Sequence, residues 1–319
     1  MSGDHHHRHP HLHAHGQLTR RAAIASVSMA LFLVGLKVWA AVATGSVAML
    51  GSLADTGLDL LASLATLLGV WLAAQPADPE HRFGHGKAEA IAALFQTILI
   101  GLSALGIAWR AGERFASPQT TAAPELGIGV SLVAIATTLA LVAYQRWTVK
   151  KTGSIAIHTD QLHYQTDVLL NLAVIAALAL DSLFRLRGAD PLFGFAIAAY
   201  LMWGAVGSAR RALDMLMDRE WPAEKRRQLR DLLAAHPRAV GVHALRTRTS
   251  GATDFIQFHL WLEPDMSVRA AHAIVEELED AVGAGFPRAE ILIHVDPAGN
   301  VDRDDQNFDD EREWVPDAR

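Results

Sequence analysis

Asp160-Gln161-Leu162-His163-Tyr164-Gln165-Thr166-Asp167 is the polar opening of an otherwise apolar run that continues to Leu183. His163 and Asp167 stand four residues apart, which on a helix puts both side chains on one face, a turn from each other. A second apolar run carries a matching pair, Asp55 and Asp59, in Ala54-Asp55-Thr56-Gly57-Leu58-Asp59. Carboxylates at hydrocarbon depth are costly and mark ion paths or proton relays. If the two helices face one another, three carboxylates and one imidazole can close on a tetrahedral ion, the geometry Zn²⁺ prefers at ~2.0–2.2 Å per N or O donor. Loading such a site needs ionised carboxylates and a neutral imidazole, so metal and protons compete for it.

Working outward, six apolar stretches are long enough, or nearly so, to span a bilayer: about 22–42, 46–73, 91–109, 126–144, 155–183 and 192–206. Within the fifth, only Leu172–Leu180 is continuously apolar, so its polar half must be shielded from lipid by neighbouring helices. Thr44-Gly45 forms a tight link between the first two. Six spans put both termini on one side, flanked by Arg20, Arg21, Arg82, Lys87, Arg146, Lys150 and Lys151. Arg110, Arg114, Arg185 and Arg187 flank the other. The excess of basic residues marks the side of the termini as cytoplasmic.

The composition agrees with a membrane class. Of 319 residues, 51% are hydrophobic, and mean hydropathy is +0.18. The net charge is −6, but the segment after Ala298 holds eight acidic and three basic residues, so the rest is near neutral and offers no basic face for nucleic acid. With no cysteine, any metal site must use N and O donors. Seven of the sixteen histidines fall within the first fifteen residues. Interrupted by Arg8, Pro10, Leu12 and Ala14, that run reads as a native His-rich tail over residues 1–18, able to bind cations loosely.

After Arg210-Arg211 the pattern becomes that of a soluble domain. Ala223–His236 and Val268–Val282 read as helices, the second with an apolar stripe at 268, 271, 275, 278 and 282. Val240–Thr249, Phe255–Leu262 and Glu290–Asp296 read as strands, the first two joined through Ser250-Gly251. The order αββαβ predicts a small α+β sheet with helices on one face. The expected division is a tail (1–18), a six-helix transmembrane domain (19–215), a metal-binding α+β domain (216–297) and a disordered acidic tail (298–319).

Two further constellations of ligand-type residues stand out. Asp78, His81 and His85 lie within eight residues in the link after the second span, with Gly84 and Gly86 allowing a turn; spacing alone leaves a metal site and a solvated loop both open. In the soluble domain, Ile256, Phe258, Leu260 and Leu262 alternate toward the core, as do Ile291, Ile293 and Val295. That turns His259, His294 and Asp296 to the opposite face, joined by His243, with His272 beside the helix stripe. Dimer packing and a metal cluster both fit that face. His158 lies off the His163 face, and neither it nor His236 is assigned a function.

Asp55-x-x-x-Asp59, Phe83-Gly-His-Gly-Lys-Ala-Glu89, His163-Tyr-Gln-Thr-Asp167 and Ile293-His-Val-Asp296 together resemble the cation diffusion facilitator family, most closely its bacterial zinc and iron efflux members, over roughly Thr19–Pro297. The resemblance implies a homodimer of six-helix protomers in the bacterial inner or plasma membrane, with a cytoplasmic ferredoxin-like domain. It also implies proton-coupled metal export by alternating access. By position, Asp55, Asp59, His163 and Asp167 match the transport site, and Asp78, His81 and His85 an intracellular-loop site. His243, His259, His272, His294 and Asp296 match a binuclear site that Asp296 can bridge. Lys87 and Asp218 match a charge network at the dimer contact. The two-Asp, His-Asp quartet is similar to that of members accepting Zn²⁺ and Cd²⁺; the alternative within the family is export of Fe²⁺, Mn²⁺, Co²⁺ or Ni²⁺.

Two readings from other classes compete. An intramembrane metallohydrolase needs a positioned general base, yet no His-Glu-x-x-His occurs and no glutamate is expected inside a span. A metal sensor needs only the soluble-domain ligands and leaves the mid-bilayer quartet unexplained.

Overall fold

The computed structural model describes residues 10–44, 47–116, 125–184 and 189–299. The histidines before Pro10, the Gly45 link, Arg185, Arg187 and the acidic tail beyond Gly299 lie outside the described residues, as do the side chains of Asp55, Arg114 and His11–His15. Contacts divide the chain into two units, one formed by His15–Asp214 and the other containing the domain that begins at Met215.

The first unit is built from six helices: α1 (Pro10–Thr44), α2 (Val47–Ala73), α3 (Ala88–Ala116), α4 (Glu125–Thr152), α5 (Ile155–Phe184) and α6 (Ala189–Leu216). Most run past the limits expected from hydropathy, which locates the apolar middle of a helix and not its ends. α4 continues through Gln145–Thr152; Gly153 still donates its N–H to the Val149 carbonyl at 2.8 Å, and its φ of 69° then turns the chain out of the helix.

Burial in this unit is inverted relative to a water-soluble protein. On α2, Thr56, Ser63 and Thr66 are buried while Leu58, Leu61, Leu64 and Leu68 are exposed. On α3, Gln96 is fully buried while Ile98, Leu102, Leu105 and Trp109 face outward. Such a surface suits hydrocarbon, and polar groups turned inward can find partners only among themselves. Among the described residues, five stretches of helix are long and apolar enough to cross a membrane: Gly16–Trp39, Thr56–Ala73, Ala88–Glu113, Leu132–Thr152 and Pro191–Leu216. α2 and α3 approach closely at Gly69, where an added Cβ would sit 2.3 Å from Ala92 Cβ. Only a hydrogen fits there.

One sequence expectation fails here. Glu89 lies within the first turn of α3, buried, with Ser154 donating to its Oε2 at 3.0 Å. The helix begins before the apolar run and takes the glutamate with it.

The second unit comprises α7 (Ala223–Ala235), β1 (Val242–Ser250), β2 (Thr253–Leu262), α8 (Val268–Gly285) and β3 (Ala289–Pro297). β1 pairs antiparallel with β2 and β2 parallel with β3, giving the sheet order β1-β2-β3. Gly251 takes φ 59° in the β1–β2 turn. The core packs Leu229 and Leu233 of α7 and Leu278 and Val282 of α8 against Val242, Ile256, Phe258, Leu260 and Ile293 of the sheet. The Ser267 hydroxyl caps α8 by accepting from Ala270 N at 3.3 Å. Two stripe residues behave otherwise than their spacing predicts: Val268 in the first turn of α8 and Val295 near the end of edge strand β3 are exposed, because the core does not extend to either end.

Candidate metal centres

Among the described residues, three groups of N and O donors come together, each with its ligand atoms within 4.8 Å of one another. Tetrahedral bonds of ~2.0–2.1 Å would set such donors about 3.3–3.4 Å apart, so each group needs only a modest contraction.

In the first, Asp59 of α2 meets His163 and Asp167 of α5, with His163 Nε2 2.9 Å from Asp59 Oδ1. Asp55 stands one turn before Asp59 on α2. All three described side chains are only partly buried. Near them, Lys37 of α1 donates from Nζ to the Thr56 hydroxyl.

The second group is local. Asp78 Oδ1 accepts from the backbone N–H of His81 at 2.6 Å and of Glu80 at 2.9 Å, fixing a tight turn. The His81 hydrogen bond is the leading cause that holds the Asp78 carboxyl below its ordinary range. His81 Nδ1 lies 3.2 Å from Oδ1, and His85 Nε2 3.3 Å from Oδ2. Gly84, with φ 75°, brings His85 back over His81. Gly86 is not in the left-handed region, so the turn depends on one glycine, not two. The His85 Nδ1 atom is buried without a hydrogen-bond partner, as expected of a ring turned by one nitrogen toward a site. An N/O donor set of this kind fits a Zn²⁺-class ion.

The third group follows from strand register. His243 pairs with His259 across β1–β2, and His259 with His294 across β2–β3, so three imidazoles form one row over the sheet. Asp296 reaches all of them: its Oδ2 lies 2.8 Å from His259 Nδ1 and 3.5 Å from His243 Nε2, and its Oδ1 3.2 Å from His294 Nε2. His243 Nδ1 lies 3.0 Å from the Gly241 carbonyl. A carbonyl only accepts, so the ring proton sits on Nδ1 and Nε2 presents its lone pair to the cluster. One oxygen near two imidazoles, with the other near a third, has the form of a bridging carboxylate. His272 does not join them within one chain: exposed on α8, it pairs with Glu276 at 3.4 Å.

Of the two residues expected in a charge network, Asp218 accepts from Arg248 Nη1 at 3.2 Å, and Lys87 is half-buried just after His85. His158 faces Arg211, with 3.2 Å between Nδ1 and Nη2. Sequence reasoning quoted Asp160 without assigning it and passed over Gln96, Gln145, Ser26 and Ser63; a glutamine inside an apolar run was the available signal.

The sequence matches the family model for the cation efflux transmembrane domain over residues 23–217 and that for the cation efflux protein cytoplasmic domain over 221–298. The chain belongs to the cation efflux family. It is 45% identical over 285 residues to the cation-efflux pump FieF of Yersinia pestis (strain Pestoides F) and to that of Yersinia pseudotuberculosis serotype O:3 (strain YPIII), covering 89% of this chain and 95% of each relative. The metal-bound C-terminal domain of the CzcD transporter from Thermotoga maritima is 26% identical, covering 26% of this chain and all of that domain, with a TM-score of 0.24. This cation efflux family member is accordingly a multi-pass membrane transporter of metal cations.

Proposed function

We propose that the protein exports Zn²⁺, tolerating Cd²⁺, in exchange for protons, and does so as a homodimer by alternating access, with both termini cytoplasmic. The observation that carries this reading is the meeting of Asp59 with His163 and Asp167 across α2 and α5, two separate helices. With Asp55 they form the transport site. An imidazole among carboxylates favours Zn²⁺ over the harder Mn²⁺, which prefers oxygen donors. Binding needs His163 neutral and the carboxylates ionised, so each ion loaded displaces protons and each proton taken up weakens the ion's hold. That reciprocity is what exchange requires.

Asp78, His81 and His85 are then a cytoplasmic loop site. His243, His259, His294 and Asp296, with His272, are a binuclear site, and Lys87 and Asp218 belong to a charge network between protomers. Exposed Leu292 and Val268 of the small domain support pairing of two copies. Metal at the small domain is structural or regulatory and biases the transport helices; such coupling has to appear as a changed affinity at the transport site.

The test is metal flux into proteoliposomes under an imposed pH gradient, with metal and pH dyes read together. Zn²⁺ movement opposed by H⁺ movement, both abolished in Asp59→Ala, is the expected result. Flux of Fe²⁺ or Mn²⁺ without Zn²⁺ would reassign the cargo, and absence of flux with every metal would leave a membrane metal sensor.

A further inference from the structure

One turn before His163, Asp160 is fully buried. Its Oδ1 accepts from Gln96 Nε2 of α3 at 2.7 Å and its Oδ2 from Gln145 Nε2 of α4 at 2.7 Å. The second Gln145 hydrogen goes to Ser26 Oγ of α1 at 2.9 Å, and that hydroxyl donates to the Ala22 carbonyl. Just beyond, Tyr164 donates to the Ser26 carbonyl at 3.1 Å and accepts from Ser63 Oγ of α2 at 2.8 Å. Five helices therefore converge on one carboxyl group, and every hydrogen bond it receives comes from a neutral partner. The Gln96 and Gln145 carbonyl oxygens are buried without hydrogen-bond partners.

We propose that Asp160 is a second proton-carrying site, separate from the metal ligands, and that Gln96 is the group that accommodates both of its protonation states. In the ionised state Gln96 donates to Oδ1 and its own Oε1 is idle. When a proton binds Oδ1, a half-turn of the Gln96 amide brings Oε1 to where Nε2 stood, and the new O–H donates to it. The number of hydrogen bonds is the same in both states, and only the idle atom changes from acceptor to donor. Gln145 keeps its bonds throughout. A dry carboxyl with no paired cation and an amide able to serve either form is suited to taking up and releasing a proton.

The groups that bear on this titration are few. Among the described residues, α1, α3 and α4 contribute neutral Ser26, Gln96 and Gln145; α2 contributes Asp59 beyond Ser63; α5 itself contributes Tyr164, His163 and Asp167. A divalent ion arriving between Asp59 and Asp167 favours the ionised form of Asp160, and its departure favours the protonated one. Asp160 thus moves a proton opposite to the metal.

The inference rests on proton-coupled exchange for its role in transport, but protonation of Asp160 is measurable without transport. Infrared difference spectra of the full-length protein in lipid, recorded across pH, should show the carbonyl band of a buried carboxylic acid in the wild type. That band should persist in Asp59→Asn and vanish in Asp160→Asn. Gln96→Leu removes a bond from each form, the stronger, charge-assisted one from the ionised form, and should move the band's titration to higher pH, which reads the same idea in a variant that keeps the carboxyl. In proteoliposomes, Asp160→Asn should lose part of the H⁺ moved per metal ion. A band unaffected by Asp160→Asn, or a titration unmoved by Gln96→Leu, overturns the proposal. If the wild type moves metal without protons, the exchange reading fails while the spectra still decide whether Asp160 titrates.

Discussion

His163 Nε2 and Asp59 Oδ1 stand 2.9 Å apart, joining α5 to α2 by a single contact between two ligand-type side chains. An ion inserted between them replaces a hydrogen bond with two metal bonds, so loss of either side chain removes a donor and also orphans its partner. His163→Ala should lower Zn²⁺ uptake by at least about tenfold, because even groups one step removed from a metal tune affinity by ~10–100-fold. His158→Ala, on the other side of the helix and facing Arg211, should leave uptake nearly intact. Equal losses in initial-rate flux assays would mean the wrong histidine has been put on the site.

The loop group should keep its carboxylate ionised on mild acidification. Asp78 is held below its ordinary value of 3.8 by the His81 backbone N–H first and by Glu80 and the His81 ring in addition. A depressed carboxyl lends its turn stability above the ordinary value and loses it only as pH falls through the lowered one. Between pH ~5 and ~7 Asp78 therefore stays ionised, so mild acidification leaves the loop its carboxylate ligand. Calorimetric titration of Asp59→Ala at pH ~7, with the additional His81→Ala change as the control for the loop, should show one metal equivalent more in the first than in the second. Asp78→Asn should remove that equivalent at every pH.

Gly69 holds α2 against α3 at a distance that excludes a methyl group. Gly69→Ala should separate the helices and cost about 1–3 kcal/mol, the usual range for overpacking. A lower melting temperature with reduced flux is expected. A variant as stable as the wild type would mean that α3 can shift along α2 freely.

Asp254 is buried between Lys225 Nζ and Thr249 Oγ1, each at 2.8 Å, with Arg288 at 3.6 Å. Lys225 also lies over the Trp221 ring, 3.6 Å from its centre. Asp254→Ala leaves a half-buried cation without its partner and should destabilise the small domain by about 3–5 kcal/mol. Leu278→Ala, which opens a cavity in a fully buried position, should cost about 2–5 kcal/mol. Denaturant unfolding followed through the indole of Trp221 should report both losses, with the membrane helices unaffected.

Much of the architecture was legible because two periodicities carry it. Apolar runs near 20 residues located the helices, and alternation at Ile256, Phe258 and Leu260 fixed which face of β2 is core and thereby which way His259 points. The ligand-type pairs on α2 and α5 were legible for a similar reason: a charge inside an apolar run is its own marker. What escaped was whatever depends on pairing between distant segments. Nothing along the chain says that Gln96, Gln145 and Ser26 meet at Asp160, because glutamine and serine in an apolar helix look the same whether they face a partner or a neighbouring chain. Helix ends escaped too, Glu89 among them, since a helix can outrun its hydrophobic stretch while its backbone bonds continue.

The polar opening of α5 has a consequence for how the molecule is made. A segment beginning Ile155-Ala-Ile-His-Thr-Asp is a poor candidate for entering a bilayer by itself, whereas the hydroxyls and amides that receive its polar side chains belong to α1–α4, which emerge from the ribosome earlier. Insertion of α5 should thus wait on its predecessors, so that the helix bearing His163 and Asp167 settles only where a completed scaffold is there to receive it. A chain that misassembles upstream would then tend to leave α5 outside the membrane, where proteases can reach it, before a leaky ion path could form.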